Sequence, residues 1–185
     1  MFDLVIYPKY EIRKAPELGC NYILSIQDAV EVTDPVSTPH GIPHFNHRHF
    51  FFDDLDFEVS PEEEGRPSHR DGTVFRYTTP KKTDVEAMLK FGQEIPEDSK
   101  LFVHCFAGVS RSTATAFMLN CWGHPDMDEF HVLRLTAGQA TSRYIHPNSL
   151  IVQYADELLD RKGRMLQALD RFQHIHTGGW TSPEE

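Results

Sequence analysis

Cys105 and Arg111 stand at the two ends of one short run, Val103-His104-Cys105-Phe106-Ala107-Gly108-Val109-Ser110-Arg111-Ser112, with five residues between them. A cysteine acts as a nucleophile through its thiolate. An arginine presents a planar fork of donors that can hold two oxygens of a phosphate at once, which a lysine cannot do. Brought together by one loop, the pair could attack a phosphoryl group and hold its oxygens during the attack. Gly108 lets such a loop take backbone angles that other residues resist.

That chemistry needs a strand before the loop and a helix after it, and the sequence supplies both. Residues 100–104 form an apolar run of strand length, and residues 112–119 are small and apolar enough for a buried helix ending near Gly123. A strand–loop–helix turn aims backbone N–H groups at one point, at the positive end of the helix dipole, where a thiolate is stabilised. Three more apolar runs, residues 4–7, 22–26 and 48–52, read as buried strands. Before the loop, Thr79 is a plausible N-cap with Pro80 at the first helical position. Val85, Met88, Leu89 and Ile95 then mark one apolar face until Pro96 stops the helix. Further helices are predicted from Pro125 through Leu135, over 148–159 and over 163–172.

Strands alternating with helices imply an α/β protein, with a central, mainly parallel sheet flanked by helices. Two stretches interrupt it as loops: residues 34–49, rich in Pro and His, and residues 57–79, rich in Glu, Pro, Gly and Arg. The second is long for a compact domain and has the character of a functional or disordered insertion. The expectation is one domain over 1–185, with 57–79 inserted and 163–185 forming a C-terminal helix and tail.

Composition narrows the function. The chain has 185 residues, 39% hydrophobic and 25% charged, an ordinary globular balance. Its formal net charge is −10 and no block of Lys or Arg could track a nucleic-acid backbone, so no nucleic-acid partner is expected. No run reaches the roughly twenty apolar residues of a membrane-spanning helix, and the N-terminal run reads as a strand and not as a leader. An acidic surface repels anions at long range, so any positive field must be local to the site. Three cysteines, Cys20, Cys105 and Cys121, are an odd number at no metal-like spacing. That favours free thiols in a reducing compartment, the cytoplasm.

The run around Cys105 resembles the signature of the protein tyrosine phosphatase superfamily: His-Cys, five residues, Arg, then Ser or Thr. His104, Cys105, Arg111 and Ser112 fill the fixed positions, and Ala107-Gly108-Val109-Ser110 looks like the compact, bacterial-type dual-specificity branch. The stretch Thr141-Ser142-Arg143-Tyr144-Ile145-His146-Pro147-Asn148 resembles the family's Pro-Asn segment, which precedes a helix packed under the phosphate loop. The likeness covers roughly residues 22–159.

The resemblance implies a phosphatase with a phosphate-binding loop between strand and helix, acting through a phosphocysteine on Cys105 without metal or cofactor. Phe106, Ala107, Gly108, Val109, Ser110 and Arg111 would cradle the phosphate. Ser112 would stabilise the departing thiolate, and His104 would orient the loop and favour ionisation of Cys105. Asn148 would hold the loop near Ser110, cap the following helix, or do both. The substrate would be a phosphorylated protein or a small phosphomonoester. A phosphoinositide is disfavoured because the loop lacks the lysines that meet extra phosphates. An RNA 5′-phosphate, or a non-catalytic phosphate-binding module, is the alternative.

The general acid is less fixed. The family takes it from an Asp after an earlier strand, and Asp53-Asp54 follows one directly. Asp54 is preferred, because the chain should first turn outward at Asp53. Asp71 lies at a spacing nearer the family's habit and is the runner-up, while a plain solvated turn of Asp53, Asp54 and Asp56 is the alternative. His40, His44, His47 and His49 cluster, but with no Cys or carboxylate among them they read as a solvated loop and not a metal site. Arg66 and Arg70 would add positive charge if the 57–79 loop covered the site, and Cys121 or Cys20 could pair with an oxidised Cys105.

Overall fold

The computed structural model describes residues 2–58 and 77–176. Four strands, β1 (Asp3–Pro8), β2 (Tyr22–Gln27), β3 (His47–Phe51) and β4 (Lys100–Cys105), form one sheet in the order β1-β4-β2-β3. Every pairing is parallel, with Leu4 opposite Leu101, Leu24 opposite Val103 and Ser25 opposite His49 and His104. All four C-terminal ends therefore lie on one edge, the edge where open parallel sheets place their sites. Each predicted strand is present to within a residue or so.

Among the described residues, five helices follow the third strand: α1 (Lys82–Gln93), α2 (Arg111–Gly123), α3 (Glu129–Gln139), α4 (Ser149–Leu158) and α5 (Arg164–His176). α2 combines small and apolar residues with buried Ser112, Thr113, Thr115 and Asn120 and is buried along nearly its whole length, as a helix central to a layer must be. Two helix starts differ from the sequence expectation. α1 begins at Lys82 because Asp53 grips Thr78 through both backbone groups, keeping the approach extended, and Asp84 then accepts the Lys81 amide at 2.9 Å. α3 begins at Glu129, not Pro125, because Asp128 is the residue whose carboxylate caps the Phe130 and His131 amides.

The two faces of the sheet are built differently. Side chains alternate along a strand, so Leu4, Ile6, Leu24, Ile26, Leu101 and Val103 share one face, packed under the helices with Phe117, Met118, Leu119, Ile151 and Val152. Val5, Tyr7, Ile23 and Phe102 share the other, covered among the described residues by Ile12, Ala15, Cys20, Val36 and Ile42 from 3₁₀ turns and loops. Farther along that second face the residues become polar: His104, Ser25, Gln27, His47 and His49. Among the described residues no helix is long and apolar enough to cross a membrane.

Candidate active site

Cys105 is the last residue of β4 and is buried, and Arg111 opens α2 and is only 3% exposed. The loop between them is tied outward by its carbonyls. Phe106 accepts the Lys9 amide (3.1 Å), Val109 the His146 amide (2.9 Å), and Ser110 the Asn148 amide (3.4 Å). The Thr113 hydroxyl adds bonds to the Val109 and Ser110 carbonyls at 2.6 and 2.8 Å. In a planar trans peptide the N–H of the next residue points away from the carbonyl. The amides of Ala107, Ser110 and Arg111 are thus turned away from the framework, as an anion cradle requires.

Gly108 is indispensable to that shape. Its φ is +71°, and a Cβ there would lie 2.8 to 2.9 Å from backbone atoms of Tyr7 and Pro8. Both the angle and the space demand glycine. Ser112 Oγ lies 3.2 Å from Cys105 Sγ, within reach of the thiolate.

Arg111 is anchored on two sides. Nη1 donates to the Phe52 carbonyl at 2.6 Å, and Nη2 meets Asp28 Oδ1 at 2.7 Å. Its buried Nε has no hydrogen-bond partner among the described residues and lies 3.8 Å from Asp54 Oδ2. The Nε–H of the fork is left for a ligand.

The two adjacent aspartates do different work. Asp53 accepts the Ala29 amide at 3.3 Å and the Thr78 amide at 2.8 Å, clamping two loops. Asp54 faces the phosphate loop instead, where Oδ1 accepts from Ser110 Oγ at 2.7 Å and from Asn148 Nδ2 at 3.0 Å. Asn148 fills both parts considered for it: it ties the loop through Ser110 and Asp54, and its Oδ1 caps α4 at the Ile151 amide (3.0 Å). Asp71, Arg66 and Arg70 lie outside the described residues.

No family model and no curated protein matches this sequence. Solved structures do. PTP-2 phosphatase of Cydia pomonella aligns over 84% of each chain with a TM-score of 0.57 at 17% identity. PTPMT1, solved in complex with PI(5)P, aligns over 86% of this chain and 91% of its own (TM-score 0.53, 12% identity). A human tyrosine phosphatase-like serine/threonine/tyrosine-interacting protein aligns over 86% and 92% (TM-score 0.52, 18% identity). The chain has the protein tyrosine phosphatase fold.

Within this phosphatase fold, the sequence reading missed several participants. Asp28 was findable, since it directly follows β2, whose end borders that of β4. The Phe52 carbonyl carried no side-chain signal. The histidine cluster needs a correction: His47 is buried in β3 and not solvated, with Nε2 2.6 Å from Ser25 Oγ, and Ser25 Oγ is also 2.6 Å from His104 Nε2. Burial pushes His104 down to about 4, against a lesser upward pull from the Cys105 backbone. His104 is therefore neutral at pH 7.

The other thiols are also corrected as resolving partners. Cys20 precedes β2 at the opposite edge of the sheet, and Cys121 sits ten residues along α2, about 15 Å of helix from Arg111. All three cysteines are free and buried, and burial pushes Cys20 up to about 11 and Cys121 to about 12, the reverse of activation.

Proposed function

We propose that this protein is a cysteine-dependent phosphomonoester hydrolase of the protein tyrosine or dual-specificity type, working through a phosphocysteine intermediate on Cys105. The observation that supports it most is the phosphate loop itself. The carbonyls of Phe106, Val109 and Ser110 are bound outward, the N–H groups that follow them are turned the other way, and Cys105 and a buried Arg111 with an unpartnered Nε stand at its two ends.

The Cys105 thiolate attacks phosphorus in line, forming the S–P bond as the ester P–O bond breaks. Arg111 and the loop amides hold the equatorial oxygens throughout, so positioning and fixed charge supply most of the catalysis. Asp54 hands its proton to the departing oxygen. In the second half, Asp54 takes a proton from water, the water oxygen attacks phosphorus, and the S–P bond breaks. The thiolate then leaves into the hydrogen bond of Ser112 Oγ, 3.2 Å away. His104 acts from behind as a neutral support.

The surroundings favour a substrate with one phosphate. Asp28, Glu31, Asp54 and Asp56 are carried on the loops after β2 and β3, and Lys9, on the loop after β1, is already paired with Glu31. Extra phosphates would meet net negative charge there. Phe106, 65% exposed on the loop, offers an apolar wall to an aryl phosphate. The three free thiols fit a reducing, cytoplasmic setting, and residues 1–185 are taken as one catalytic domain with 57–79 inserted. A non-catalytic phosphate-binding role is the second reading, favoured by the likeness to a protein named for interaction.

The test is turnover of an aryl phosphate with chelator present. Wild type should hydrolyse it, Cys105→Ser should not, and Cys105→Ser should still bind inorganic phosphate. A silent wild type that binds phosphate would establish the second reading.

A further inference from the structure

Behind the phosphate loop, three polar side chains from adjacent strands are joined on the second face of the sheet. Ser25 Oγ on β2 lies 2.6 Å from both His104 Nε2 on β4 and His47 Nε2 on β3. His47 Nδ1 continues to Thr38 Oγ1 at 2.9 Å, on the half-buried loop before β3. Ser25, His47 and His104 are all buried, where unsatisfied polar groups are costly.

A serine hydroxyl carries one proton. Placed between two imidazole nitrogens, it donates to one and accepts from the other. The two rings are therefore coupled. Either His104 carries Nε2–H and His47 carries Nδ1–H, or His104 carries Nδ1–H and His47 carries Nε2–H. Burial keeps both neutral, with His47 held at about 3 and His104 at about 4. His104 Nδ1 is buried with no hydrogen-bond partner among the described residues, so the shared hydroxyl fixes the two tautomers relative to each other.

The charged and titratable groups around the relay come from every neighbouring element. Lys9 and Glu31, from the turns after β1 and β2, face His104 as an ion pair. His49 of β3 stacks on His47 with ring centroids 3.9 Å apart, and His44 lies before it. On the loop side, Asp28 and Asp54 flank Arg111.

We propose that Thr38, His47 and Ser25 are positioning residues. They hold the ring of neutral His104, at the foot of the phosphate loop, in one tautomer and one orientation, which keeps the start of the loop in the shape that stabilises the Cys105 thiolate. The role rests on Cys105 being the nucleophile, yet it is read without turnover. Imidazole ¹⁵N spectra of the wild-type protein at pH 7 should show the two rings protonated on differently named nitrogens, one at Nδ1 and the other at Nε2. Protons on the same-named nitrogen of both rings would overturn the proposal.

Alkylation of Cys105 by iodoacetamide at pH 6, mapped by mass spectrometry, supplies the variant test. Ser25→Ala and His47→Leu should slow it about three- to tenfold, the worth of one hydrogen bond. His47→Gln, which keeps a donor near the Nε2 position, should stay within about twofold of wild type. Wild-type rates in Ser25→Ala and His47→Leu, or equal losses in His47→Gln and His47→Leu, would reduce the relay to packing. A protein that bound phosphate without hydrolysing it would still give these results.

Discussion

The two faces of the sheet carry different loads. Under the helices, Leu24, Ile26, Leu101, Val103 and Phe117 join one continuous apolar cluster. On the other face, the apolar part is confined to a smaller cluster, and toward the strand ends it gives way to Ser25, His47 and His104 linked in a line. Burying a polar row gains little stability. Its value is direction: hydrogen bonds fix angles that apolar contacts leave loose. The helical face accordingly holds the fold, while the polar face and the loop at its edge set the geometry of Cys105 and Arg111.

Substitutions should separate the two. The largest loss of activity is expected on the loop side, in Asp54→Asn, which removes the proposed proton donor. Turnover of an alkyl or weakly activated phosphate should fall about 10²- to 10⁴-fold, while the thermal midpoint stays near wild type. Asp53→Asn, one residue away, should do the opposite, lowering the midpoint because it loosens Ala29 and Thr78 while turnover falls only a few-fold. Equal kinetic losses in both would show that the two carboxylates are not distinguished as described.

Gly108→Ala comes next. A Cβ meeting Tyr7 backbone at 2.8 Å must displace the loop by a sizeable fraction of an ångström, and displacement on that scale costs about a hundredfold in rate. Inorganic phosphate binding should weaken along with turnover.

The helical face answers in stability. Phe117→Ala removes a fully buried ring and should cost about 3–5 kcal/mol in urea unfolding, with kcat of the folded fraction near wild type.

The smallest effect is a pH dependence from the polar face. His47 and His104 titrate near 3 and 4 when folded, against an ordinary 6.5 in the unfolded chain. Below pH 6.5 the unfolded chain binds protons that the folded chain refuses, so stability is complete above that pH and declines as pH falls toward 4. The urea midpoint should drop between pH 7.5 and 5, and the drop should be shallower in His47→Gln.

What the sequence disclosed follows the same division. The apolar runs revealed all four strands, because a strand buried under helices needs an unbroken apolar side. The run from Val103 to Ser112 revealed the loop, because its parts are contiguous in the chain. The polar face was hidden. Ser25 and His104 are 79 residues apart and Ser25 and His47 are 22 apart, and nothing local marks them as partners. His47 was read as loop because His40, His44 and His49 surround it in a Pro-rich stretch. Asp54 was preferred to Asp53 by the direction the chain must turn, whereas the start of α1 was not legible, because it depends on a clamp between Asp53 and Thr78.

The most direct measurement is an acid quench of the reaction with ³²P-labelled substrate, followed by peptide mapping. Label is expected on Cys105, accumulating further in Asp54→Asn, where the water that should release it lacks its base. Turnover by wild type with no label on Cys105 in either protein, or with label on another residue, would contradict the phosphocysteine mechanism.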